Sequence, residues 1–158
     1  MRFIRPALAV FLLAGPASAA DDSKAPYFVS LKADEVYMRE GPSKEHRIKW
    51  IYHRKGLPVE VVAVFDVWRR VRDMDGEVGW VHRSMLSPSR TALVVGKGEV
   101  TLRGDPSPRA DAIAQVETGA IGDLRRCHDS ACELSFGNAD GWIDRGRLWG
   151  VYAGEDIH

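Results

Sequence analysis

The sequence predicts an all-β protein made of two small barrels in tandem, because one pattern of strands and turns occurs twice. The first copy closes with the stretch 79–86, GWVHRSML, and the second with the stretch 141–148, GWIDRGRL. Each reads glycine, tryptophan, a β-branched residue, a polar turn and a final leucine. The runs between these stretches are short and mostly alternate apolar with polar residues, as half-buried strands do. No segment longer than one or two turns shows helical periodicity.

The two tryptophan stretches define the orientation of a strand in each copy. Neighbouring residues of a strand point to opposite faces, so we expect Val81 and Ile143 in the two cores. The tryptophan rings then lie on the other face. Gly79 and Gly141 have no Cβ, and another segment can therefore approach the backbone closely there.

In the first repeat, structure is expected to begin at Tyr27, with strands at 36–39, 48–52, 59–65 and 68–72 before the tryptophan strand. The connecting segments contain Gly-Pro, Lys-Gly and Asp-Gly pairs, which are frequent in turns and hairpins. The run 59–65 is continuous and β-branched, a pattern typical of strands that are covered on both faces.

The second repeat follows the same order after a segment of linker composition, SPSR at 87–90. Its strand at 100–103 corresponds to 36–39, and a long strand is expected at 120–127 with its return at 132–136. The segment Trp149–Tyr152 is too apolar for a free tail. We expect it to pack on one domain or between the two.

The amino terminus is typical of an export signal. Arg2 and Arg5 precede the apolar run 7–13, and Ala17–Ala19 supplies a small-residue cleavage site. The run is roughly half as long as a membrane-spanning helix, so no stable membrane anchor is expected. The predicted division is a signal peptide at 1–19, a flexible leader at 20–27, a first domain at 28–88 and a second domain with a C-terminal extension at 89–158. We expect a soluble periplasmic or secreted protein in an oxidising compartment.

Composition excludes several classes of function. The 22 basic and 22 acidic residues balance, which is unlike the basic footprint of a nucleic-acid-binding protein. The five histidines show no paired metal spacing, and two cysteines do not make a structural zinc site by themselves. Neither a metal nor another cofactor is predicted.

Catalysis is not expected either. The chain has no Gly-x-Ser-x-Gly elbow and no phosphate-binding loop. Cys127 is followed by His128 and Asp129, but neighbouring residues at a strand end point apart, whereas a catalytic dyad needs side chains that converge.

The two cysteines are instead predicted to form a disulfide. Cys127 and Cys132 flank the loop 128–131, and the runs on both sides have strand composition. Residues that face one another across an antiparallel hairpin have Cβ atoms about 4.5–5.5 Å apart, and a disulfide needs about 3.5–4.5 Å. Slight pinching of the hairpin therefore permits the bridge.

The order of these motifs resembles the bacterial SH3-like (SH3b) domain. In the first repeat the matching residues are VYMREGP at 36–42, LPVEV at 57–61, WRRV at 68–71 and GWV at 79–81. The resemblance covers both repeats, 28–150. It implies small, strongly bent barrels of five to six strands, each with a one-turn 3₁₀ segment before the last strand. Members of this family are mostly non-catalytic modules of exported proteins that bind cell-wall peptide or glycan.

The candidate ligand site lies on the first repeat. Tyr37, Trp68 and Trp80 are expected at outward or strand-end positions, and by analogy with eukaryotic SH3 domains His82 and Met85 line the same groove. Aromatic faces suit sugar rings and extended peptides. The alternative is that these rings only cover the barrel and the neighbouring domain.

Other aromatic residues of the first repeat are assigned to its core, because a barrel this small needs bulky filling. Trp50 and Phe65 are the predicted core aromatics. Arg39 and Arg103 stand at the same position in the two repeats, just before a turn. An outward arginine could bind a carboxylate of a ligand bidentately. Their recurrence in both repeats favours instead a structural role, in which the guanidinium ties the long loop to the barrel.

The second repeat differs at the groove positions. It has Thr101 for Tyr37, Ala131 for Trp68, Asp144 for His82 and Arg147 for Met85, as the printed sequence shows. Small and charged side chains offer less apolar contact area, so we expect the ligand site on the first repeat.

The sequence thus predicts a non-catalytic exported binding module that recognises peptidoglycan peptide or glycan. The competing hypothesis is an adaptor for an envelope protein, in which the two barrels form one rigid docking unit. An adaptor should stay in the supernatant when the protein is mixed with purified peptidoglycan, whereas a wall-binding module should sediment.

The export signal makes the first testable prediction. Cleavage after Ala19 gives a mature chain that begins at Ala20 or Asp21. Intact-mass measurement of the exported protein should show this shortened chain. An exported protein that retains Met1 would contradict the prediction.

Overall fold

The computed structural model describes residues 25–128 and 130–158. The predicted signal peptide, 1–19, lies outside the described residues. The first repeat contains seven strands: β1 Tyr27–Leu31, β2 Val36–Arg39, β3 Ile48–Tyr52, β4 Pro58–Phe65, β5 Trp68–Arg72, β6 Val78–His82 and β7 Leu86–Ser87. The second repeat also contains seven: β8 Thr91–Val94, β9 Val100–Arg103, β10 Ala112–Val116, β11 Ile121–His128, β12 Ala131–Ser135, β13 Asp140–Asp144 and β14 Leu148–Trp149. The all-β prediction is confirmed.

The two repeats have the same topology. The strand order is β3-β2-β6-β5-β4-β1-β7 in the first sheet and β10-β9-β13-β12-β11-β8-β14 in the second. All these pairs are antiparallel. A 3₁₀ helix precedes the last strand of each repeat, at Arg83–Met85 and at Arg145–Arg147. The resemblance to the SH3b domain implies this 3₁₀ segment, and the structure contains it in both repeats. The resemblance also implies five to six strands in each barrel, whereas each sheet has seven among the described residues.

Each repeat has its own hydrophobic core. The largest fully buried side chains of the first are Leu31 and Met38, and those of the second are Leu102 and Leu134. Val81 and Ile143 are buried in these cores as predicted.

The glycines before the two tryptophans permit the same close approach of strands in both repeats. A Cβ on Gly79 would lie 2.5 Å from Met38 Cγ and 2.9 Å from the Arg39 carbonyl oxygen. A Cβ on Gly141 would lie 2.7 Å from the Arg103 carbonyl oxygen. Only glycine fits at such distances. This packing sets Arg39 opposite Trp80, and in the second repeat Arg103 opposite Trp142.

The prediction that Trp50 and Phe65 fill the first core is wrong. Trp50 is 53% exposed and Phe65 is 57% exposed. Trp50 lies on β3, the outermost strand of its sheet, and Phe65 is the last residue of β4. Both therefore lie at the margin of the barrel. The core is filled instead by valine and leucine side chains together with Met38 and one aromatic residue, Tyr52.

The disulfide prediction is confirmed. Cys127 and Cys132 are bonded, and they pair directly across β11 and β12 with a Cα–Cα distance of 4.0 Å. His128 and Ala131 also pair across the two strands, so the ladder continues into the segment that was expected to be a four-residue loop. The bridge closes a short segment, and its stabilisation is therefore below the roughly 3 kcal/mol of a 15-residue loop.

The C-terminal segment packs between the repeats. Trp149 Nε1 donates a hydrogen bond of 3.0 Å to the Pro58 carbonyl oxygen of the first repeat. The Phe28 ring of the first repeat contacts both Trp149 and Tyr152, with ring centroids 5.2 and 4.7 Å apart. Thr91 Oγ1 adds a hydrogen bond of 2.7 Å to the Gly56 carbonyl oxygen. The segment Trp149–Tyr152 was expected on one domain or between the two, and the structure places it between them.

A buried carboxylate lies at the centre of this contact. Glu60 on β4 is only 3% exposed. Its Oε2 accepts hydrogen bonds from the Arg72 guanidinium, and its Oε1 accepts one of 2.9 Å from the Tyr152 hydroxyl of the second repeat. Burial and this hydrogen bond raise the pKa of Tyr152, so its hydroxyl keeps the proton that it donates. β4 is thus covered on both faces in its first half, but not along the whole run that was predicted.

Further bonds hold the segment that carries Tyr152. Arg90 donates to both carboxylate oxygens of Glu155, at 2.8 and 3.1 Å, and Arg145 donates to the carbonyl oxygens of Tyr152 and Glu155, each at 2.7 Å. Burial alone would raise the pKa of Glu155, but the bonds from Arg90 and from the Tyr152 backbone outweigh it and lower that pKa. The segment is therefore held by charge-assisted hydrogen bonds.

No helix in the described part of the chain is long and apolar enough to cross a membrane.

Removal of one hydroxyl tests the contact between the repeats. Tyr152→Phe deletes the hydrogen bond to Glu60 and leaves a buried carboxylate oxygen without that donor. We expect the free energy of unfolding to fall by about 1–3 kcal/mol, as for a buried acceptor left unsatisfied. Urea unfolding of wild type and variant measures the difference.

Tyr27→Phe is the matched control, because the Tyr27 hydroxyl makes no hydrogen bond within the described residues. It should leave stability nearly unchanged. Equal stability of Tyr152→Phe and wild type would show that the Glu60 contact does not hold the repeats together.

Candidate functional site

A groove on the first repeat brings together four of the five predicted site residues. It encloses about 330 Å³. The lining comes from β2 and the residue before it, the following loop, the start of β5, the end of β6 and the 3₁₀ helix. The residues are Glu35, Tyr37, Arg39, Lys44, Trp68, His82, Ser84 and Met85. Their roles in binding stay predictions, but the convergence of Tyr37, Trp68, His82 and Met85 agrees with the analogy that suggested them.

Tyr37 forms the most exposed aromatic wall of the groove. Its side chain is 41% exposed, and its hydroxyl donates a hydrogen bond to Glu35 Oε1. This bond and the charge of Glu35 raise the pKa of Tyr37. The exposed ring face can contact a ligand without any movement of the barrel.

Trp68 lies deeper than expected. Its side chain is only 7% exposed. Trp68 is the first residue of β5 and pairs with His82 on β6. The two rings meet edge to face with centroids 5.3 Å apart. Trp68 therefore forms the floor of the groove and is not an outward-facing ring.

The hydrogen bonds of His82 orient its free ring nitrogen. The backbone N–H of Ser84 donates to His82 Nδ1 at 3.2 Å, and Ser84 Oγ lies 2.7 Å from the same atom. With Nδ1 accepting, the neutral ring carries its proton on Nε2. This contact also caps the 3₁₀ helix, so the element that closes the barrel sets the position of a groove side chain.

Arg39 ties the loop after β2 to the barrel, as predicted. Its Nη1 donates to the carbonyl oxygens of Lys44 and His46, at 3.0 and 2.8 Å. Arg103 does the same in the second repeat, where Nη1 donates to the Ala110 carbonyl oxygen at 2.9 Å. The structural role is confirmed, and Arg39 also lines the groove.

Trp80 lies outside the groove. Its ring packs edge-on against Phe65, with centroids 6.4 Å apart. These two rings, an exposed Phe65 and a partly buried Trp80, form a separate aromatic pair. Trp80 is the one predicted site residue that the structure does not bring to the others.

The second repeat retains a groove at the equivalent place. It encloses about 310 Å³ and is lined by residues that include Glu99, Thr101, Arg103, Pro108, Ala131, Trp142, Asp144 and Arg147. The expectation that the substitutions leave less apolar surface is met, but the cavity itself remains. Its volume depends on the shared backbone, and Ala131 leaves open the space that Trp68 fills in the first repeat.

The charged side chains of this second groove are largely engaged with the backbone. Arg147 Nε donates to the Val95 carbonyl oxygen at 2.8 Å, and Asp144 Oδ1 accepts from the Gly146 N–H at 2.8 Å. Asp144 therefore replaces His82 as the cap of the 3₁₀ helix. The fold is kept while the groove chemistry changes.

Sequence reasoning did not include Glu35, Lys44 and Ser84 in the site. Glu35 precedes Tyr37 by two residues, and such neighbours on a strand share a face. That spacing is a usable signal for Glu35. Lys44 comes from a long loop whose path the sequence pattern does not define, and no comparable signal points to it. The described residues contain no group of three or more His, Cys, Asp or Glu side chains that could hold a metal ion.

Two antiparallel barrels, each closed by a 3₁₀ helix before its last strand, define a tandem SH3-like architecture. The family model of the bacterial SH3 domain matches residues 32–88 and 96–150. The chain belongs to this family and carries two copies of its domain. No protein with a curated description matches the chain significantly.

Two solved structures from Trichomonas vaginalis are distantly similar. NlpC1 shares 15% identity with a TM-score of 0.36, and the match covers 90% of this chain and 51% of that one. NlpC2 has the same identity and TM-score, with 79% and 48% covered. This chain spans about half the length of those structures. A similarity this distant says nothing about function.

Proposed function

We propose that the protein is an exported binding module that recognises a cell-wall component, peptidoglycan peptide or glycan, through the groove of its first repeat. The observation that carries the proposal is the combination of an exposed tyrosine face, an apolar floor and hydrogen-bond donors in one groove. Sugar rings and extended peptides are recognised by surfaces of this kind. The protein acts by binding and not by catalysis.

Export is supported by two features. The amino-terminal sequence has the pattern of a cleavable signal, and Cys127 and Cys132 form a disulfide, which persists in oxidising compartments outside the cytosol. A periplasmic or secreted module meets the cell wall directly.

The second candidate function is an envelope adaptor. Phe65 is exposed outside the groove, where it packs on the partly buried Trp80, and exposed apolar surface of this kind marks protein contacts in other proteins. The hydrogen bonds between the repeats would present both barrels as one docking unit. Sedimentation with purified peptidoglycan separates the two functions, since an adaptor stays in the supernatant.

Tyr37→Ala tests the groove most cleanly. Because Tyr37 is 41% exposed, its truncation should leave the thermal midpoint nearly unchanged. An aromatic hot spot is worth about 2 kcal/mol, so binding to purified peptidoglycan should weaken about 30-fold. Trp68→Ala is less suitable, because Trp68 is buried and its loss also removes packing.

Thr101→Ala is the matched control, since Thr101 occupies the position of Tyr37 in the second groove. It should bind as wild type does. A folded Tyr37→Ala protein that binds at wild-type strength would remove the first groove from consideration.

A further inference from the structure

The first groove contains more hydrogen-bond donors than are used by acceptors within the protein. Arg39 has five N–H donors, of which Nη1 supplies the two bonds to the loop carbonyls. The described residues offer no acceptor to its Nε and Nη2. His82 has its Nδ1 occupied by Ser84, so Nε2–H remains available. Lys44 lines the same groove, and no described carboxylate lies within ion-pair distance of its ammonium group.

Among the described residues, one carboxylate lines this groove, that of Glu35, and it does not balance these donors. Glu35 accepts the hydroxyl proton of Tyr37 and lies near His53 rather than Lys44, with His53 Nδ1 3.9 Å from Glu35 Oε2. Two fixed cations, Arg39 and Lys44, therefore line the groove together with one engaged anion. Glu45 lies outside the lining, where a hydrogen bond with Ser43 and, to a smaller extent, the charge of Arg39 lower the pKa of its carboxyl. An environment of this kind favours an anionic ligand group.

The second groove provides an internal contrast. It keeps Arg103 in the place of Arg39, but Pro108 stands at the position of Lys44 and Asp144 at that of His82. One cation and one N–H donor are thus replaced by a neutral residue and a carboxylate. Arg147 in place of Met85 adds a cation, but its guanidinium donates to the carbonyl oxygens of Val95 and Lys97. Three carboxylates, those of Glu99, Asp105 and Asp144, also line this groove. The excess of free donors over carboxylates therefore belongs to the first repeat.

We propose that the first groove recognises a carboxylate of the wall peptide, held by Arg39, Lys44 and His82, while the apolar part of the same ligand packs on Trp68 and Met85. This rests on the proposed function. A planar carboxylate matches the paired donors of a guanidinium, and the lysine adds charge at the rim. The ligand class is a short peptide with a free carboxylate.

Chemical blocking of wall carboxylates tests the proposal. Purified peptidoglycan is amidated with a carbodiimide and methylamine, and sedimentation of the wild-type protein is compared on treated and untreated wall. We expect binding to untreated wall and at least about a tenfold loss on amidated wall, the effect of a charged hydrogen bond. Equal binding to both would overturn carboxylate recognition and leave the proposed function standing. Absence of binding to either would instead overturn the proposed function, and this inference with it.

Lys44→Gln tests the same contact from the side of the protein. An exposed ion pair contributes up to about 1 kcal/mol, so we expect a roughly twofold to fivefold weaker binding to untreated wall and a smaller difference between treated and untreated wall. Lys97→Gln removes an exposed cation from the second repeat and is the matched control. An equal loss with Lys97→Gln would show attraction by overall charge and would overturn the proposal.

A third arm distinguishes the source of the carboxylate. Wall from which an amidase has removed the peptides keeps its glycan strands. We expect the protein to lose binding to this material. Full binding to the stripped glycan would assign recognition to the sugar chain and overturn the peptide carboxylate.

Discussion

The arrangement of the two barrels depends on the buried carboxylate of Glu60. A charge that is 3% exposed carries a large desolvation cost unless it is paired and hydrogen-bonded. Arg72 supplies its partner within the first barrel, but one oxygen depends on Tyr152 from the second. The carboxylate is fully satisfied only when the C-terminal segment lies between the repeats. The aromatic contacts of Phe28 with Trp149 and Tyr152 add apolar burial to the same contact.

This contact leaves the grooves independent. Within the described part of the chain, each groove is lined by residues of its own repeat, and neither lining includes Phe28, Pro58 or Glu60. Both repeats keep the glycine that permits close strand packing and the arginine that ties the loop. On that common backbone the side chains at the groove have diverged. One groove combines the faces of Tyr37 and Trp68 with free donors, and the other has smaller residues at those two positions and three carboxylates in its lining.

The tandem all-β architecture could be predicted from the sequence, because turn residues, glycines and β-branched residues determine the conformation of the backbone at their own positions. The sequence also predicted Val81 and Ile143 in the cores and the Cys127–Cys132 bridge. Periodicity shows which residues share a face, but not where a strand runs past the core, and Trp50 and Phe65 were misplaced for that reason. The cavity of the second groove was missed because its volume depends on the path of the backbone as well as on side-chain size. Lys44 was missed because a long loop brings it to the site.

The most direct test of the central claim is to locate the bound ligand by NMR. The indole N–H signals of Trp68 and Trp142 report on the first and second grooves, and that of Trp80 reports on the aromatic pair outside them. Titration with soluble peptidoglycan fragments should shift the Trp68 signal and the backbone signals of Tyr37 and Ser84, and leave Trp142 and Trp80 unchanged. Shifts confined to Trp142 or to Trp80, with Trp68 unmoved, would contradict the claim that the first groove is the binding site.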